Sequence, residues 1–159
     1  MLSGWLGCVI PSPYDPVRVW RAQMQAVMVK LPALTDADIS PHIGNRDALL
    51  KDESLQDFGR VCKWLQTIAK TKDSNQDHTC YSLGKMLETT CGVVIAAAVH
   101  CGFRYSVTRG FPVVYFAMST RSIKAARPAL LKGRSRQRPA EKPTVHRPGL
   151  PFAHCVNNL

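Results

Sequence analysis

The sequence is short of the features that usually announce a function. No two of its six cysteines, Cys8, Cys62, Cys80, Cys91, Cys101 and Cys155, form a C-x-x-C pair. The common zinc-ribbon and thioredoxin-type signatures are therefore missing. No N-x-[ST] acceptor is present, and the start, "MLSGWLGCVIPSP", lacks a basic leader region and a small-residue cleavage site. Those absences argue against export and for reduced thiols in the nucleus or cytoplasm. There is no Gly-rich phosphate loop and no G-x-S-x-G turn. Nor is any carboxylate pair isolated in an apolar run, so the reading is non-enzymatic, with no cofactor. The longest uncharged stretch, between Glu88 and Arg104, has 15 residues, short of the about 20 that a membrane span needs.

Acidic residues are also unevenly missing. From Met1 to Thr120, 12 Lys/Arg accompany 10 Asp/Glu; from Arg121 to Leu159, 9 accompany 1. Nearly all of the formal net charge of +10 thus sits in the last quarter of a 159-residue chain. Such asymmetry points to a phosphate-bearing or anionic-lipid partner. Arg121, Lys124, Arg127, Lys132, Arg134, Arg136, Arg138, Lys142 and Arg147 are the candidate contacts. Guanidinium groups suit phosphate because their planar fork donates two parallel hydrogen bonds. No aromatic residue interrupts the string before Phe152, so base stacking is not expected and binding should be insensitive to sequence. "KGRSRQRP" also loosely resembles a nuclear-import signal.

What is present suggests an α+β domain, mainly helical. Residues 1–14 read as an apolar arm, 15–120 as a globular domain, and 121–159 as a basic, Arg/Pro-rich, disordered tail with helix persisting near 121–132. Asp15 is an N-cap, Pro16 fits the first helical position, and Pro32 ends a run with helical spacing at 16–31. Alternation of Trp20, Ala22, Met24, Ala26 and Met28 also fits a strand there. The polar stretch around Pro41 and Gly44 is a loop, with a short helical turn near 46–52. Leu55, Phe58, Val61, Cys62, Leu65, Ile68 and Ala69 form a continuous stripe predicting a helix over 54–71, with Ser54 and Asp57 as a capping box. "DSNQD" follows as a loop. The run "YSLGKMLETTCGVVIAAAVHCG" predicts one long central helix over 81–101, ended by Gly102, whose small residues admit a close neighbour. Tyr105-Ser106-Val107 and Val113-Val114-Tyr115-Phe116 predict a hairpin around Gly110, with Pro112 suggesting that the second strand lies at an edge.

Other motifs give less. His78, Cys80, His100 and Cys101 are possible zinc ligands, but one straight helix would hold them about 30 Å apart, so no metal is expected. The thiols of Cys62 and Cys91 look structural. "PSPYDP" and "RPGLP" carry P-x-x-P without a flanking Arg suited to groove binding. Cys8 sits in an arm that could be acylated, and Cys155 is one position too early for a prenylation box.

The leading expectation is an interaction protein whose tail binds RNA, DNA or another polyanion while its body engages a protein. The alternative is a membrane-peripheral, viral-matrix-like protein using arm and tail on anionic lipid. The apolar proline-tyrosine arm and basic balance invite comparison with matrix proteins of negative-strand RNA viruses. In this chain, however, Ser12 breaks the proline-tyrosine motif and the charge lies at the opposite end. An open reading frame without a selected function is the third possibility.

Overall fold

The computed structural model describes residues 15–40, 44–108 and 113–134, the last seven of these by backbone only. The expected apolar arm, the Gly110 turn and the tail beyond Arg134 lie outside the described residues. Among the described residues, five α-helices and a three-stranded antiparallel sheet make an α+β fold, mainly helical.

Helix α1 spans Pro16–Lys30. Asp15 caps it by accepting from the Val17 amide at 3.0 Å, and Pro16 occupies the first turn, where a missing N–H costs nothing. Helix rather than strand wins here because Met24, Val27 and Met28 face the core together. The carboxyl end of α1 is held from a distance. The Arg46 guanidinium donates to the carbonyls of Met28 (2.6 Å), Leu31 (3.2 Å), Pro32 and Leu34 (3.3 Å). A single 3-10 turn follows at Asp47–Leu50.

Helix α2, Asp52–Leu65, starts earlier and ends earlier than its stripe suggests. The expected capping box is not formed: Lys51 is the N-cap, and Ser54 Oγ instead donates to the Ala48 carbonyl at 2.8 Å. Beyond Leu65 the chain tightens into a turn in which Thr67 and Ile68 amides bond the Trp64 and Leu65 carbonyls. Ile68 is buried from that turn, so the apolar stripe outlasts the helix.

Strand β1, Lys70–Thr79, occupies the stretch expected to be helix end and loop. Its residues are mostly polar and exposed, which hides the strand from any periodicity argument. It pairs with β3, Val114–Met118, through an irregular register, Lys70 opposite Met118, Asn75 opposite Phe116 and Thr79 opposite Tyr115. The register slips mark bulges. Strand β2, Tyr105–Val107, pairs with β3 as the hairpin was expected to. The order β1-β3-β2 puts β3 in the middle, not at an edge. That position explains its burial, with Val114, Phe116, Ala117 and Met118 all inside.

The long helix expected over 81–101 is two helices. Helix α3 covers Cys80–Leu87 and α4 covers Cys91–His100, and they meet at 103°. Thr79 and Ser82 form a reciprocal capping box at the start of α3. Glu88 ends it in the left-handed region at φ 51°. The corner is braced by α2: Arg60 donates to the Leu87 carbonyl at 2.8 Å, and Asp57 accepts from Thr89 Oγ1 at 2.8 Å and from Arg60 at 2.7 Å. Helix α4 is the centre of the domain, with Val93 to Ala98 all fully buried. Gly102, at φ 74°, closes it with paired bonds from Gly102 and Phe103 amides to the Val99 and Ala98 carbonyls. Among the described residues no single helix is long and apolar enough to cross a membrane.

Candidate polyanion interface

The sheet ends where the basic segment begins. Helix α5, Thr120–Arg134, starts two residues after β3. Its first turn is tied to the body by Ser119, whose amide donates to the Ala69 carbonyl at 2.9 Å, and by Ser122, whose hydroxyl accepts from the Ala69 amide at 3.1 Å. Ile123 is buried, and Ala126 packs against the same core. The beginning of the basic segment is therefore part of the packed body.

That anchoring fixes which way the first cations point. With Ile123 and Ala126 inward, Arg121, Lys124 and Arg127 are left on exposed positions three residues apart. This spacing spreads them over one outward sector of the helix. Among the described residues the ion pairs are Arg21–Asp52 at 2.8 Å and Arg60–Asp57 at 2.7 Å. Neither involves α5, so the three outward cations are not consumed by described carboxylates. Lys132 and Arg134 lie on the last turns of α5, where only the backbone is described. Arg136, Arg138, Lys142 and Arg147 lie outside the described residues.

Two further cations border the sheet. Arg104 donates to the Lys72 carbonyl at 3.3 Å, and Lys70 donates to the Cys101 carbonyl at 2.7 Å while its ammonium lies 5.2 Å from the centre of the Phe103 ring. A cleft of about 650 Å³ runs between residues 71–77 of β1 and the start of α5. It contains Asp73 and Asp77 beside Lys72, so its charge is mixed. The outer face of α5 is the more cationic surface.

The Thr120 hydroxyl at the start of α5 is already engaged. Asn75 Nδ2 donates to Thr120 Oγ1 at 2.8 Å, and His78 Nε2 lies 2.9 Å from the same oxygen. The threonine proton can then be given to the Nε2 of a neutral imidazole. Burial pushes the His78 pKa down, Asp77 pulls it up, and Lys124 pushes it down further. A histidine held below its ordinary value of about 6.5 binds fewer protons folded than unfolded. Its contribution to stability is complete above that value and is lost as pH falls through it toward the lower folded pKa. Denaturation midpoints measured from about pH 7.5 to 5 should fall in the wild type, and His78→Gln should flatten this fall. Equal slopes in both proteins would remove His78 as the cause.

The break at Glu88–Thr90 removes the premise that a straight helix keeps the zinc-type residues apart. It brings Cys80 and Cys91 together. Among the described residues, even so, no three His, Cys, Asp or Glu side chains are grouped to hold a metal ion. The sequence reading missed this thiol pairing and the Arg46 clasp. The available hint for the first was the β-branched pair Thr89-Thr90 followed by Gly92, a weak place in a helix.

An α+β body carrying a cationic helix is the class these features define. Beyond that class, no family model, no curated protein and no solved structure matches this chain.

Proposed function

We propose that the protein is a non-enzymatic interaction protein of the nucleus or cytoplasm. Its basic C-terminal segment, beginning on α5, contacts the phosphates of RNA, DNA or a comparable polyanion with little sequence preference. The observation that carries this reading is the outward row Arg121, Lys124 and Arg127 on a helix anchored by Ile123. A rigid mount presents the first cations without the entropy cost of ordering them on contact. The remaining cations, through Arg147, extend the same charge along the chain.

Deleting residues 121–159 is a poor test, because it would also remove the buried Ile123. The informative variants are a truncation after Arg134 and a full-length Arg121→Gln/Lys124→Gln/Arg127→Gln protein. Each phosphate contact contributes roughly 0.7–0.9 to the slope of log affinity against log salt. The triple variant should therefore shallow that slope by about 2 to 3 units on homopolymer RNA and on duplex DNA alike. An unchanged slope in both variants would end the reading. Flotation with anionic vesicles in parallel separates polyanion binding from a matrix-like role. Vesicle binding with no nucleic-acid binding would favour the membrane surface.

A further inference from the structure

The break between α3 and α4 has a consequence for four thiols that is independent of the proposed function. Cys62, Cys80, Cys91 and Cys101 are free thiols, and contacts at the two ends of α4 set them in two pairs. Cys101, at the carboxyl end of α4, places its Sγ 4.0 Å from the Cys62 carbonyl oxygen on α2, and the two thiols interact closely enough to shift each other's pKa. Cys91 opens α4. Its Sγ lies 3.8 Å from where a Cβ on Gly84 would stand, one helical turn from Cys80 on α3, and the Cys80 and Cys91 thiols shift each other's pKa. Each pair combines one buried sulfur, Cys62 or Cys80, with one half-exposed sulfur, Cys101 or Cys91.

We propose that oxidation closes Cys62–Cys101 and Cys80–Cys91 disulfides, stapling the two ends of the central helix α4 to α2 and α3. An accessible attacker backed by a buried resolving thiol is the arrangement such a closure requires. The oxidant is a low-molecular-weight disulfide such as glutathione disulfide. The Cys101 thiolate attacks one of its sulfurs, the S–S bond breaks, and one glutathione thiolate leaves. Cys62, giving its proton to water, then attacks the Cys101 sulfur and expels the second thiolate. Two protein thiols and one disulfide become one protein disulfide and two glutathione thiols.

The two pairs should not close at equal rates. Cys101 lines a cleft of about 380 Å³ with Lys70 and His100. Its pKa is drawn down to about 7, chiefly by the neighbouring Cys62 thiol, against the opposing effect of burial and with help from the Lys70 charge. At the other end the half-exposed sulfur is disfavoured as a thiolate. Cys91 is pushed up chiefly by the neighbouring Cys80 thiol, by burial, and by the charges of Cys80 and Asp38. Asp38 is itself buried, with Oδ1 unpartnered and Oδ2 3.4 Å from the Tyr81 hydroxyl. Each pair holds one thiol drawn down to about 7, Cys101 and Cys80, but Cys80 is fully buried while Cys101 opens on the cleft beside Lys70; the accessible thiolate is the attacker, so Cys62–Cys101 forms first.

The test uses the full chain with Cys8→Ser and Cys155→Ser, which removes the two thiols outside the described residues. The reduced protein is exposed to glutathione disulfide, and intact mass and disulfide-linked peptides are followed in time. The expected result is loss of two hydrogens with a 62–101 linkage, then two more with 80–91, accompanied by a rise in thermal midpoint. Cys101→Ser should block the first linkage and leave the second, and Cys91→Ser the reverse. Four free thiols after prolonged exposure, crossed linkages, or glutathione adducts that never resolve would each overturn the proposal. The linkage map of the parent protein decides the matter even if a serine variant fails to fold.

Discussion

Gly92→Ala should cost about 3 kcal/mol or more of folding stability, enough to remove a large share of the 5–15 kcal/mol typical of a domain. The added methyl would sit on the Thr35 carbonyl oxygen and within 2.8 Å of Asp36 Cα and 2.9 Å of the Asp36 oxygen. These are backbone atoms, which cannot rotate out of the way. Nor can the loop retreat easily. The Gly92 amide donates to the Asp36 carbonyl at 2.9 Å, the Thr35 amide to the Asp38 carbonyl at 2.8 Å, and the Asp36 amide to the Asn45 carbonyl at 3.2 Å. Helix α4 is equally fixed, because Val93 to Ala98 have no exposed surface to slide across. Helix propensity alone would favour alanine by about 1 kcal/mol, so the sign of the measured change is decisive. A denaturation midpoint at or above the wild-type value would show that the approach of loop and helix is looser than described.

Arg46→Ala should cost roughly 3 kcal/mol, a net figure for losing several bonds to a charged donor from a half-buried site. The guanidinium reaches four carbonyls, those of Met28, Leu31, Pro32 and Leu34. One of these, the Met28 carbonyl, is an orphan acceptor at the end of α1, because Pro32 four residues on has no amide to give, whereas the Leu31 carbonyl also accepts from the Leu34 amide at 3.1 Å. A cation there also complements the helix dipole. Arg46→Lys keeps the charge but replaces a flat fork with a compact ammonium, so it should recover less than half of the loss. Denaturant titration gives the magnitude. Hydrogen exchange should locate the effect in the last turn of α1 and in residues 31–34. A uniform loss of protection, or full rescue by lysine, would contradict the clasp.

The redox and salt-dependence tests probe opposite ends of the molecule's chemistry. One concerns thiols on and around a buried helix, the other cations on an outward one. Neither outcome bears on the other, since the four paired cysteines and the α5 cations share no bonds.

The elements that could be read directly are those whose evidence is local. Asp15, Pro16 and Pro32 bound α1 whatever surrounds it, and the hairpin strands announce themselves by apolar β-branched and aromatic residues. The charge step at Arg121 is likewise a property of composition. Strand β1 could not be read, because "KTKDSNQDHT" has no apolar face. It becomes a strand only because β3 offers it amides and carbonyls. The end of α2 was misplaced because Ile68 is buried from a turn instead of a helix.

The amino-acid sequence by itself determined the fold class, the ends of the first helix, the hairpin strands and the position of the charge, since each depends on neighbours within a few residues. Tertiary structure alone decided that residues 81–101 bend at Glu88, that Cys62 meets Cys101 and Cys80 meets Cys91, and that Arg46 closes a helix 16 residues before it. The physical reason is common to all three. Each rests on contacts between residues far apart in the chain: the weak Thr89-Thr90 pair does not by itself place a break, and the bond from Arg60 to Leu87 and that from Thr89 to Asp57, reaching across from α2, set the corner.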